Sequence, residues 1–60
     1  MTGKGIVISN FAGLYRVQIV DFDKGGAPEK ISMSFIDRKY IDKLAVEWHM
    51  ETGYPIYEQN

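Results

Sequence analysis

Histidine, cysteine and clustered carboxylates build most catalytic and metal sites, and this chain is poor in all three. Its 60 residues hold one histidine, His49, and no cysteine. A nucleophilic triad would have to use His49, yet the candidate serines, Ser32 and Ser34, fall on a different element on the far side of the domain. His49 is expected to be a partly buried side chain covering Trp48. Asp21-Phe22-Asp23 beside Gly25-Gly26 has the acidic start of a calcium loop. It lacks the further oxygen ligands and the closing Glu. Gly25-Gly26 precedes no helix start, so it reads as a turn and not as a phosphate cradle. No metal, no cofactor and no catalytic residue is expected; the chain does not read as an enzyme.

The residue types that remain are those of recognition. Arg16 and Gln18 alternate with apolar neighbours, as do Lys30, Ser32 and Ser34. Val46 and Met50, four apart and off the main apolar stripe, form with His49 a second candidate surface for a protein partner. Seven basic and eight acidic side chains leave a net charge of −1, which weighs against nucleic-acid binding. The distribution weighs the other way. Residues 1–20 hold Lys4 and Arg16 and no acid, and every carboxylate falls at Asp21 or later.

Length and composition bound the scaffold. A chain this short buries only about 60% of its unfolded surface and makes one domain, spanning residues 1–60. Without cysteines the core must come from apolar packing, which a hydrophobic content of 45% can supply. The longest apolar run, Ile6-Val7-Ile8, is strand-sized, so no membrane span is expected. No charged-then-apolar leader opens the chain, which makes the cytoplasm the expected compartment.

Periodicity supplies the elements. Gly5 to Ser9 is predicted to be a strand, and Asn10-Phe11-Ala12-Gly13 a turn. From Leu14 to about Asp21, Tyr15, Val17 and Ile19 point one way while Arg16 and Gln18 point the other. Asp23 to Pro28 is a loop. A third strand then places Ile31, Met33 and Phe35 on one face and Lys30, Ser32 and Ser34 on the other. The period next changes to helical, with Tyr40, Ile41, Leu44, Ala45, Trp48 and Thr52 on one stripe. Ser34 with Asp37 resembles a capping box, and Asp37 can cap alone. Gly53 and Pro55 end the helix. Tyr54 to Tyr57 is a short extended tail that packs back or adds an edge strand.

The expected fold is α+β: a three-stranded antiparallel sheet packed on one C-terminal helix. Its core is Tyr15, Val17, Ile19, Ile31, Met33 and Phe35 against Ile41, Leu44, Ala45 and Trp48. The other sheet face stays wet, presenting Arg16, Gln18, Lys30, Ser32 and Ser34.

This arrangement resembles the plant ethylene-response-factor (Apetala-type) DNA-binding domain, found also in phage and mobile-element proteins. It also resembles the arm-binding amino-terminal domain of tyrosine-family integrases. The carrying residues are Tyr15-Arg16-Val17-Gln18-Ile19, Ser34-Phe35, Ala45, Trp48 and Gly53, and the likeness covers roughly residues 5–57. It implies an accessory module that lays the open sheet face in the major groove of double-stranded DNA. Arg16, Gln18, Lys30, Ser32 and Ser34 would read bases, Lys4 and Lys24 would touch phosphates, and Ser9 is a further candidate. Plant members crowd this face with arginines and a tryptophan, whereas here only Arg16 and Lys30 are cationic. Such a face would act as a homodimer or beside a larger DNA-bound complex. The competing expectation is a small protein-interaction module or inhibitor of a host protein, acting through the helix or a sheet edge.

Overall fold

The computed structural model describes residues 3–59. The chain is α+β, as expected, but its sheet has four strands and is mixed, in the order β3-β2-β1-β4. The strands are β1 (Lys4–Phe11), β2 (Leu14–Asp21), β3 (Ala27–Ile31) and β4 (Ile56–Gln59), and one helix, α1 (Arg38–Thr52), lies between β3 and β4.

β1 and β2 form an antiparallel hairpin in full register, from Lys4 opposite Asp21 to Phe11 opposite Leu14. Only Ala12 and Gly13 join them, both at positive φ (54° and 79°). Two such residues give the turn a twist that matches the strands, so the strand runs to Phe11 and past the expected turn at Asn10.

β4 corrects the three-stranded expectation. It pairs parallel to β1, Ile6 opposite Ile56 and Ser9 opposite Gln59. A parallel pair needs a long crossover, supplied here by everything between Phe11 and Ile56. Gly53, left-handed at φ 76°, closes α1. The Ile6 amide then donates to the Pro55 carbonyl at 2.8 Å, which seats the returning chain against β1. At the other end of α1 the Asp37 carboxylate accepts from the Lys39 amide at 2.9 Å, so Asp37 is the cap. Arg38 binds both Asp42 and Glu58, tying the first helical turn to β4.

The core lies between one sheet face and α1: Ile6, Ile8, Val17 and Ile19 against Ile41, Ala45 and Trp48. Tyr15, Phe35, Leu44 and Tyr54 pack around it, partly buried. Ala45 is 1% exposed, which leaves room for the helix to approach the strands closely. Ile31 and Met33, expected in this core, are 52% and 77% exposed.

The error lies in the third strand. It begins at Ala27 and carries a bulge opposite Ile19 and Val20, so that Ile19 faces Lys30 and Gln18 faces Ile31. The bulge sets the face on which every later residue of the strand falls. Regular pairing stops at Ile31, and a lone bridge between Tyr15 and Phe35 resumes contact with β2. The irregular residues between them reverse the alternation once more, returning Phe35 to the core side.

Candidate binding face of the sheet

Antiparallel partners point to the same side of a sheet, so the register assigns each side chain to a face. The side away from α1 carries Gly5, Val7, Ser9 and Phe11 of β1, and Leu14, Arg16, Gln18 and Val20 of β2. Ile31 joins from β3, and Tyr57 and Gln59 from β4. Arg16 and Gln18 therefore stand together on the open face, as the alternation requires. Ser34 joins them, lining a small hollow with Ser9, Phe11, Leu14 and Arg16.

Of the other expected DNA contacts, the base readers Lys30 and Ser32 and the phosphate contact Lys4 are engaged elsewhere. Lys30 lies on the helix side, its ammonium 4.6 Å from the centre of the Trp48 ring. The bulge put it there. Ser32 is half-buried and engaged with backbone: its hydroxyl accepts from the Val17 amide at 3.0 Å and donates to the Met33 carbonyl at 2.8 Å. Lys4 is on the helix side by its pairing with Asp21, and its ammonium bonds the Glu29 carboxylate at 2.8 Å. That hydrogen bond raises the Lys4 pKa above its usual value. Lys24 ends a one-turn 3-10 helix, Phe22–Lys24, after β2 and is exposed.

Arg16 is therefore the cation of the open face. Among the described residues it forms no ion pair. No open-face position of β1, β2 or β4 carries a lysine or a carboxylate. Glu58 borders the face, but its side chain turns to Arg38 on the helix side.

Apolar groups fill the two ends. At one, the Phe22 and Tyr57 rings meet edge to face, with centroids 5.8 Å apart. They cover Gly5, where an added Cβ would lie 2.7 Å from each ring. Val20, beside them on this face, is only 6% exposed. A hollow of about 340 Å³ opens here, lined by Val7, Gln18, Val20, Phe22, Gly26 and Tyr57, with Glu58 and Gln59 at its β4 edge. At the other end Phe11 is 84% exposed and Leu14 stands opposite it. A second hollow of about 280 Å³ joins the ends through Ser9, Arg16, Gln18 and Gln59. The hollows share lining residues and follow one another along the strands as one shallow, open groove.

Sequence reasoning missed Phe11, Phe22, Tyr57 and Gln59. Phe11 was read as turn and Tyr57 as tail, and Phe22 entered as the middle of the acidic Asp21-Phe22-Asp23 run. The hydrophobic run at Ile6 to Ile8 gave no alternation from which the faces of β1 could be assigned. The second candidate surface is present as such. Val46 and Met50 are exposed on α1, and His49 is exposed, where it was expected to cover Trp48. Its Nδ1 lies 2.6 Å from the Tyr54 carbonyl, past the end of the helix.

Among the described residues, no group of three His, Asp or Glu side chains gathers to hold a metal ion. No helix of the described residues is long and apolar enough to cross a membrane. No protein-family model, curated protein or solved structure matches the chain.

Proposed function

We infer that this chain is a protein-recognition module, without catalytic function, that docks a partner on the open face of its sheet. The observation that carries this reading is the make-up of the face: one arginine and several polar, uncharged groups between two apolar ends. Aromatic residues and arginine are enriched in protein interfaces, while lysine, aspartate and glutamate are depleted there. Isolated apolar side chains on a surface need no explanation; a face with apolar groups at both ends of one groove does.

A second reading keeps the DNA-binding module of the resemblance, supported by Arg16, Gln18 and Ser34 standing on one open face. Its difficulty is charge. Counterion release scales with the phosphates neutralised, at a slope of about −0.9 per contact, and the face offers one cation. With Lys30 over Trp48 and Lys4 bound to Glu29, the phosphate term is small.

One pair of measurements separates the readings. The full chain is titrated with mixed-sequence duplex DNA across a salt series, and is used to capture partners from nuclease-treated bacterial lysate. Docking on the open face predicts a retained partner that is lost with Phe11→Ser and with Arg16→Glu and kept with Met50→Glu. Duplex affinity that falls steeply with salt, with NMR shifts on Arg16, Gln18 and Ser34, would instead establish the DNA reading.

A further inference from the structure

The groove on the open face has a direction, a charge and two ends, and together they describe an occupant. It runs along β1 and β2 in successive rows: Gly5 with Val20, Val7 with Gln18, Ser9 with Arg16, and Phe11 with Leu14. Alternate residues of a strand are about 6.7 Å apart, so these rows span about 20 Å, the length of roughly six extended residues. An extended chain laid along the rows repeats its side chains at the same spacing, and every second one faces the groove.

Beside the Phe22 and Tyr57 rings, which cover Gly5, the second row opens into the hollow of about 340 Å³, an open and mainly apolar depression with the volume for a leucine or an aromatic ring. The next row presents Arg16, which forms no ion pair among the described residues. No open-face position of β1, β2 or β4 carries a carboxylate, and Glu58, at the edge of the hollow, is paired with Arg38. The last presents Phe11 and Leu14, the former almost fully exposed. Between them the Gln18 and Gln59 carboxamides offer both donors and acceptors to a peptide backbone.

We propose that the groove binds an extended acidic segment of a partner protein: an apolar anchor in the Phe22–Tyr57 hollow, a carboxylate two residues on at Arg16, and a second apolar residue two further at Phe11 and Leu14. This deepens, and rests on, the reading of the face as a protein-docking surface. Charge complementarity decides among occupants. A second copy of the chain docked face to face would bring another arginine and no open-face strand carboxylate to meet it. Nucleic acid would find one cation among apolar groups.

The test uses a random-peptide library displayed on phage and selected on the immobilised full chain. Enriched peptides are then titrated by fluorescence anisotropy against the wild type and three variants, Arg16→Glu, Phe11→Ser and Met50→Glu. The expected consensus alternates apolar, any, Asp or Glu, any, apolar, in either chain direction. Arg16→Glu weakens these peptides about tenfold, as an exposed attraction gives way to repulsion of similar size, and a peptide with Lys at the acidic position recovers affinity on that variant. Phe11→Ser, at an exposed site, weakens them without disturbing the fold, checked by circular dichroism.

Enriched peptides without the carboxylate, or unaffected by Arg16→Glu, overturn the acidic segment. If those peptides still lose affinity with Phe11→Ser, the docking face itself stands. Enrichment of nothing, or of peptides sensitive only to Met50→Glu, also overturns the groove as a peptide site.

Discussion

Lys30 carries its ammonium over the face of Trp48, on the side of the sheet opposite to Arg16. The contact closes the β3 flank of the core, where Trp48 is buried and Lys30 supplies an aliphatic stem and a cation. A residue with the chemistry of a phosphate ligand is thereby committed to the fold. The open face keeps a single positive charge because of it.

Replacing Lys30 with Gln tests that commitment. Half of the methylene stem is kept and the cation is lost, so unfolding in urea, followed by Trp48 fluorescence, should shift by about 0.5–1 kcal/mol toward the unfolded state. Binding by the open face should not change. A loss of ligand affinity at unchanged stability would return Lys30 to the binding surface.

Ser32 has a similar structural task. Regular pairing of β3 ends at Ile31, and Ser32 prolongs it by one step. Its amide donates to the Val17 carbonyl at 2.9 Å, and its hydroxyl takes the place of a carbonyl in accepting from the Val17 amide. Ser32→Ala leaves a donor of the central strand without a partner, at a cost of about 1–2 kcal/mol. Hydrogen exchange should show the Val17 amide losing protection before its neighbours in β2. Equal stability of the variant would contradict this assignment.

These two residues also mark where the sequence was legible. α1 was readable from end to end, because its apolar stripe, the Asp37 cap and the Gly53 stop are local signals that agree. β2 was readable because its alternation is unbroken from Tyr15 to Ile19. β3 was not. Its pattern satisfies either face, since Ile31 and Met33 are apolar yet exposed, and the face is set by a bulge with no signature of its own. The partner of β4 was equally hidden. A parallel pairing joins residues about fifty positions apart, and nothing near Tyr57 names Val7 as its neighbour. Half of the open face comes from β1 and β4, so Arg16 and Gln18 were placed correctly while the aromatic groups around them went unseen.

The β1–β2 turn offers a gain in stability. Ala12 sits at φ 54°, where its Cβ crowds the backbone, and Gly13 follows at φ 79°. Asparagine tolerates this conformation, and Asn-Gly is the pair most favoured in two-residue hairpins. Ala12→Asn should stabilise the chain by about 1 kcal/mol and raise the melting midpoint by roughly 4–8 °C for a domain of this size. A scanning-calorimetry midpoint at or below that of the wild type would mean that the turn is not held in this geometry.

Gly5 links the fold to the proposed anchor hollow. Any side chain at this position meets the Phe22 and Tyr57 rings at once, each 2.7 Å from an added Cβ. The rings close over the strand because the glycine lets them, and their edge-to-face contact shapes one wall of the hollow. Gly5→Ala should force them apart and cost about 1–3 kcal/mol. Tyr57→Leu removes one of the two obstacles, so the double variant should cost less than the sum of the single ones, by at least about 0.5 kcal/mol. The same substitution separates packing from recognition. Displaced rings deform the hollow, so an apolar anchor should bind Gly5→Ala more weakly even at temperatures where that variant is fully folded. Additive energies in the cycle would show that Gly5 and Tyr57 do not meet, and the wall of the groove would lose its physical basis.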